Sequence, residues 1–207
     1  MFTKDCLISD SFSDNGHAKV IIELSCLAAR FSIYIGANLG RSVKRNGEQL
    51  QFNTDVVFDR LGVLVAIYDK RNLFMTESKI FDTPPLEIVT FNTEFGKFGL
   101  MTCFDALYDH PFLDLVETQQ INTLLFPTAW QNVPPHFNAV GYHSGLARGK
   151  QINYLAANRN YAPKNQSGSG IYTTTGIVKS VGDPVHPNIG RSSSHLLIAE
   201  LPITPLK

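Results

Sequence analysis

The sequence predicts an α/β protein with a mixed sheet. Residues Ala18–Ala28 carry apolar side chains with helical periodicity, and the β-branched and aromatic run Phe31–Asn38 that follows predicts a buried strand. Two pairs of apolar runs, at 54–68 and 87–102, are each joined by a turn-like segment and predict hairpins. Because strands alternate with helices further along, we expect parallel strands beside the hairpin strands.

The remaining segments are assigned by the same patterns. The polar, basic stretch Gly40–Gln49 is predicted to be a loop. The other predicted elements are a helix from Pro111 to Glu117, a strand at Thr123–Phe126, a helix at Asn138–Gln151, a strand at Asn153–Ala157, a hairpin limb at Ile171–Ser180 and a final strand at His195–Leu201. Without a repeat or linker, residues 1–207 are predicted to form a single, partial domain.

Composition excludes several classes of function. The chain has 207 residues, 43% of them hydrophobic, and 18 basic residues balance 18 acidic ones. A net charge of zero gives no field that attracts nucleic acid, so no nucleic-acid partner is expected. No apolar run approaches the roughly 18 residues that span a bilayer, and residues 1–5 are not followed by the apolar core of a signal peptide.

The cysteines and histidines do not predict a disulfide framework or a metal site. Cys6, Cys26 and Cys103 are too few and too scattered for a framework, and none lies at metal-ligand spacing. Cys6 and Cys26 are interpreted as packed thiols. We therefore expect no metal site; the expectation of no cofactor comes from the resemblance described below.

Cys103 is the candidate nucleophile. It follows an apolar strand, and open α/β sheets hold their ligands at the carboxyl ends of strands. The alternative is a buried structural cysteine, since free cysteine is among the most buried residue types.

Lys70 is the candidate cationic partner. It leaves the strand that ends at Tyr68, where most lysines are simply solvated. A nearby ammonium group would favour the Cys103 thiolate and stabilise an oxyanion. A rival hypothesis pairs Cys103 with a histidine, as in cysteine proteases. The histidines considered for that pair are His110, His136 and His143.

Three further features are candidates for binding or modification. Trp130 follows a predicted strand and either lines a pocket or packs in the core. Asn165-Gln166-Ser167 is a glycosylation sequon. Gly168-Ser169-Gly170 lacks the spacing of a phosphate-binding loop, so a tight turn is predicted there.

Several motifs, in order, resemble those of the nitrilase superfamily of carbon-nitrogen hydrolases. The segments that carry the resemblance are Tyr68–Phe74, Leu100–Asp105 and Leu124–Trp130, with Phe52–Asp59, Glu87–Thr93 and Gly168–Tyr172 in support. The similarity runs from about Leu24 to Leu201 and is greatest to the vanin and biotinidase branch.

The resemblance implies a nitrilase-like four-layer α-β-β-α sandwich with mixed sheets and hydrolysis of linear amides. In this branch the substrates are pantetheine or biotinyl amides, so the expected partner is a small-molecule amide. The family's cysteine motif falls on Cys103 and its lysine motif on Lys70. The backbone N–H of Phe104 would complete the oxyanion site.

The chain departs from the family pattern at its ends. The family's catalytic glutamate belongs to an amino-terminal segment with no match here, so no general base is assigned and the fold is expected to be incomplete at the N-terminus. Glu77 resembles a second glutamate near the family's lysine; a surface carboxylate is the alternative. We therefore expect an exposed edge that associates with another chain. The alternative function is an inactive nitrilase-like fragment that acts as a binding partner. The resemblance also implies a secreted or surface glycoprotein, modified at Asn165.

Overall fold

The structure is a computed structural model that describes residues 17–133, 135, 137–181 and 194–201. The chain divides between Val89 and Thr90 into two compact units, which are described separately. Among the described residues, no helix is both long and apolar enough to cross a membrane.

Unit 1 packs one helix on an antiparallel sheet. The helix α1 (His17–Phe31) precedes strands β1 (Ile35–Arg45), β2 (Glu48–Phe58) and β3 (Leu64–Asp69), which lie in that order in the sheet. The core between helix and sheet contains Ile21, Ala28, Val56 and Phe58. The predicted helix and the 54–68 hairpin are confirmed.

The loop predicted at Gly40–Gln49 is wrong, because β1 and β2 continue through it. Arg45 pairs with Glu48 across a two-residue turn, and both turn residues have positive φ, 53° at Asn46 and 87° at Gly47. An Asn-Gly pair favours such a turn, since both residues adopt left-handed backbone at low cost. The strands are polar here because these residues are exposed or only half-buried.

Cys26 corrects a second expectation in unit 1. It is buried in α1 as predicted, but it is disulfide-bonded rather than a packed thiol.

Unit 2 contains a mixed six-stranded sheet, with its strands in the order β4 to β9. They are β4 (Thr90–Thr93), β5 (Gly96–Leu100), β6 (Thr123–Thr128), β7 (Asn153–Asn158), β8 (Gly170–Thr173) and β9 (Gly176–Ser180). Strands β5, β6 and β7 run parallel, and the other neighbours are antiparallel. The mixed sheet is therefore confirmed.

The helices of unit 2 are α2 (Asp109–Leu113), which is followed by a π-type turn at Asp114–Thr118, and α3 (Ala139–Lys150). The Asn138 side chain caps α3 by accepting a hydrogen bond from the Gly141 N–H at 2.7 Å. The helix ends at Gln151, whose backbone is left-handed. Both helices agree with the prediction. Short 3₁₀ turns occur in unit 2 at Cys103–Leu107 and Ala162–Lys164, and one occurs in unit 1 at Met75–Lys79.

The strand predicted at His195–Leu201 is wrong. Residues 194–201 form no strand, and the side chains of Leu196 and Ile198 are 83% and 66% exposed. Alternating apolar residues specify a strand only where a sheet face buries them. No sheet face buries Leu196 and Ile198, so the alternating pattern alone gave a wrong prediction.

Candidate active site

Lys70 is buried at the end of β3. Its backbone N–H donates to the Asn53 carbonyl at 2.8 Å, which extends the pairing of β3 with β2 by one residue. Its side chain is only 1% exposed. A solvated lysine does not describe this position, and a buried ammonium requires a compensating partner.

Glu77 is that partner. Its Oε2 accepts a hydrogen bond from the Lys70 Nζ at 2.5 Å and one from the Phe74 N–H at 2.6 Å, while Oε1 accepts from the Asn53 amide at 3.2 Å. The 3₁₀ turn Met75–Lys79 positions this carboxylate, which remains 28% exposed. Glu77 thus supplies the anionic partner of the buried ammonium.

Glu77→Gln is expected to lower the free energy of unfolding by about 3 kcal/mol, because it leaves the buried Lys70 charge without its anion. Lys70→Met should cost less, since it removes the buried charge and leaves Glu77 its neutral donors. Urea unfolding at pH 7 measures both changes. The exposed Glu87→Gln serves as the control. Equal losses in Glu77→Gln and Glu87→Gln would contradict the pairing.

Cys103 begins a 3₁₀ turn just beyond β5, and its thiol is free and half-buried. Its φ is +47°, in the left-handed region that residues other than glycine rarely adopt. The buried Asp105 carboxylate fastens the turn by accepting the Thr102 N–H at 3.0 Å. Strained backbone of this kind is concentrated at functional sites.

Phe104 follows the candidate nucleophile within the same turn. Its ring meets Tyr108 edge-on, with 5.3 Å between the ring centres. The backbone N–H predicted to hold an oxyanion thus belongs to the residue next to the strained position.

Trp130 belongs to an aromatic cluster between α3 and the sheet. Its ring stacks on that of Tyr142, with 5.1 Å between the ring centres and 17° between the ring planes. Trp130 is half-buried. The other members of the aromatic cluster are Phe126, His143, Tyr154 and Tyr172. Trp130 therefore packs on one face and keeps part of its surface accessible.

The histidines give the Cys/His hypothesis little support. His143 is fully buried, neither ring nitrogen has a hydrogen-bond partner, and burial lowers its pKa to about 3. A base that weak does not activate a thiol near neutral pH. His110 is exposed, and its bond to Asp114 raises its pKa. His136 lies outside the described residues.

Asn158 is a structural residue of this site that the sequence did not reveal. Its side-chain oxygen accepts the Trp130 N–H at 2.9 Å, and its amide donates to the Trp130 carbonyl at 3.0 Å. Its backbone exchanges two hydrogen bonds with the Ser169 hydroxyl, each 2.9 Å long. Asn158 thus joins the segment that follows β6 to the segment that precedes β8. An Asn at a strand end is too common a signal to predict this role.

The other predicted features of unit 2 are also located. Gly168, at φ +92°, and Ser169 lie in an irregular segment that leads into β8 at Gly170, so the tight turn predicted for these three residues is not formed. Asn165 is exposed in a turn. Across the described ranges, no group of three or more acidic, cysteine or histidine side chains is arranged to hold a metal ion.

Comparison with known protein families identifies this chain's relatives. The family model described as carbon-nitrogen hydrolase matches residues 9–204. The chain belongs to the carbon-nitrogen hydrolase family. This membership confirms the superfamily predicted from the motifs.

Curated relatives agree with the predicted branch. The chain is 48% identical over 165 residues to pantetheinase of Bos taurus and 47% identical over 165 residues to that of Homo sapiens, covering 76% of this chain in each case. It is 36% identical over 211 residues to biotinidase of Bos taurus, covering 97% of this chain. The matched regions span only 32% of each pantetheinase and 38% of the biotinidase.

Solved structures confirm the nitrilase-like fold. An amidase from Nesterenkonia sp. superposes with a TM-score of 0.66 at 17% identity, covering 80% of this chain and 63% of the amidase. Saccharomyces cerevisiae Nit3, a member of the nitrilase superfamily, gives a TM-score of 0.66 at 22% identity, covering 79% and 61% respectively.

Proposed function

We propose that this chain carries a carbon-nitrogen hydrolase site in which Cys103 attacks a linear amide. The observation that carries the proposal is the free, half-buried thiol at φ +47° immediately beyond β5, in a member of this family. Membership supplies the reaction class, and the strained turn supplies a free, half-buried thiol as the nucleophile.

The proposed reaction proceeds in two steps. The Cys103 sulfur, as thiolate, bonds to the amide carbon, the carbonyl electrons move onto oxygen, and the tetrahedral oxyanion forms. Its collapse breaks the carbon-nitrogen bond, and the leaving nitrogen takes the proton that a general base has accepted from the thiol. Water then attacks the thioester and releases the acid and the thiol. A general base assists the thiol and the water. We assign it to no residue of this chain.

Lys70 and Phe104 have complementary roles in this proposal. The Lys70 ammonium and the Phe104 N–H would stabilise the oxyanion, and Glu77 would hold the ammonium in position. The proposal requires an effect of Lys70 on the reactivity of Cys103. The labelling experiment below tests that requirement directly.

The proposed substrate class comes from the relatives' names. Relatives named pantetheinase and biotinidase suggest pantetheine or biotinyl amides. Trp130, which keeps part of its ring accessible, is the proposed contact for the substrate. Amine release from pantetheine and from biocytin by the purified chain tests this assignment. Release from either one supports the class, and release from neither rejects it.

Iodoacetamide is expected to alkylate Cys103 readily near neutral pH, and Lys70→Met should slow that alkylation about tenfold by removing the charge that favours the thiolate. Peptide mapping after short exposures measures the rate. Lys79→Met is the matched control, because Lys79 is an exposed lysine on the same 3₁₀ turn that carries Glu77. Equal rates in both variants would reject the Cys103–Lys70 pairing.

The proposal extends to secretion and glycosylation. Asn165 is exposed in a turn, where an enzyme can reach the sequon. Expression through a secretory pathway should give a chain whose mass falls on treatment with peptide N-glycosidase. Asn165→Gln should show no such change. No observation among the described residues favours the alternative of an inactive binding partner.

A further inference from the structure

Tyr142 contacts two parts of the candidate active site. Its hydroxyl donates to the Ala106 carbonyl at 2.6 Å, and its ring stacks on Trp130 with 5.1 Å between ring centres. It lies in the first half of α3 and is half-buried. One side chain therefore joins the cysteine turn, α3 and the only tryptophan of the sequence.

The hydrogen bond to Ala106 spans a longer stretch of sequence than the backbone hydrogen bonds within the turn. Within the turn, the Asp105 N–H donates to the Thr102 carbonyl and the Tyr108 N–H to the Asp105 carbonyl, each at 3.1 Å. Those bonds join near neighbours, so they shape the turn without anchoring it. The Tyr142 bond joins residues 36 positions apart in sequence and fixes the turn against α3.

An anchor of this kind is needed because Cys103 has strained backbone at φ +47°. Strained residues persist only where the surrounding contacts hold them. Burial raises the pKa of Tyr142, so its hydroxyl keeps the proton that it donates.

We propose that Tyr142 is a positioning residue that couples the Cys103 turn to Trp130. Its hydroxyl holds the turn that presents the thiol, and its ring sets the orientation of the proposed substrate contact. The catalytic part of this inference rests on the proposed function. The coupling itself is a property of unit 2 alone.

Tyr142→Phe tests the hydrogen bond, because it keeps the ring and removes the donor. Amide hydrogen exchange at Asp105 and Tyr108 should become about fivefold to tenfold faster, as expected for the loss of one partly buried hydrogen bond. Tyr172→Phe is the matched control. Tyr172 is a buried tyrosine of the same cluster, and its hydroxyl donates to the Gly168 carbonyl at 3.1 Å. Exchange at Asp105 and Tyr108 should stay unchanged in this control.

Tyr142→Leu tests the stack. Because Trp130 is the sole tryptophan, its emission should shift in Tyr142→Leu and stay unchanged in Tyr142→Phe. With an amide substrate, Tyr142→Phe should lower kcat about tenfold with little change in KM. Tyr142→Leu should also raise KM, because the tryptophan loses its support.

Unchanged exchange at Asp105 and Tyr108 in Tyr142→Phe, or equal acceleration in Tyr172→Phe, would overturn the inference. If the wild-type chain shows no turnover while the exchange result is as expected, the proposed function fails and the coupling stands. The two failures are therefore distinguishable.

Discussion

Replacing Cys103 with alanine is expected to lower amine release from an amide substrate by at least about a thousandfold. The reason is that the thioester cannot form without the sulfur, and only the binding and oxyanion groups remain to assist attack by water. Steady-state assays of amine release on matched preparations of the wild-type chain and the variant measure the loss.

The control for this comparison is the fold itself. Cys103 is half-buried, so alanine removes few packing contacts, and the backbone strain at φ +47° is common to both residues. The unfolding midpoint in urea should therefore change little. Cys103→Ala turning over at a tenth or more of the wild-type rate would show that another group performs the attack.

The stability of the chain is expected to fall as the pH is lowered from 6.5 towards 3, and His143 is the reason. In the folded chain burial lowers the pKa of His143 to about 3, whereas the unfolded histidine titrates near 6.5. Between these values the unfolded state binds a proton that the folded state does not. The His143 contribution should cost about 2 kcal/mol at pH 5 and about 4 kcal/mol at pH 3.

His143→Phe isolates this contribution. Phenylalanine keeps an aromatic ring against Tyr154, which stacks on His143 at 5.3 Å, and removes two unpartnered ring nitrogens. The side chains packed around His143 are aromatic, and none of them is charged near neutral pH. The difference in unfolding free energy between variant and wild type should grow as the pH falls. His110→Gln, which changes an exposed histidine, should not reproduce that growth. A constant difference between pH 7 and pH 4 would contradict the buried neutral histidine.

Much of the fold follows from local sequence patterns. The apolar periodicity of α1 predicted that helix, and the turn chemistry at Thr93–Gly96 predicted the β4–β5 hairpin. The wrong predictions concern segments whose structure depends on tertiary contacts rather than on the local sequence pattern. β1 and β2 continue as a polar ribbon through Asn46-Gly47, because hydrogen bonding needs no apolar face. Residues His195–Leu201 alternate without a sheet to join.

The candidate site was less predictable. Cys103 and Lys70 were found because motifs surround them, and Glu77 because it stands near a motif. The Glu77 bond to Lys70 depends on how the 3₁₀ turn folds back, which sequence spacing does not determine. Tyr142 was assigned only to a helix. His143 was considered only as one of three candidate bases. Their contacts with residues of other elements define their roles, and single-sequence periodicity carries no such information.

The central claim is that Cys103 forms a thioester with the acyl group of an amide. The most direct measurement is to incubate the wild-type chain with pantetheine, quench in acid, quantify the amine and map the acyl group by peptide mass spectrometry. We predict at least about one amine per chain, with the acyl mass on the peptide that contains Cys103. A folded sample that releases no amine and carries no acyl group on Cys103 would contradict the account.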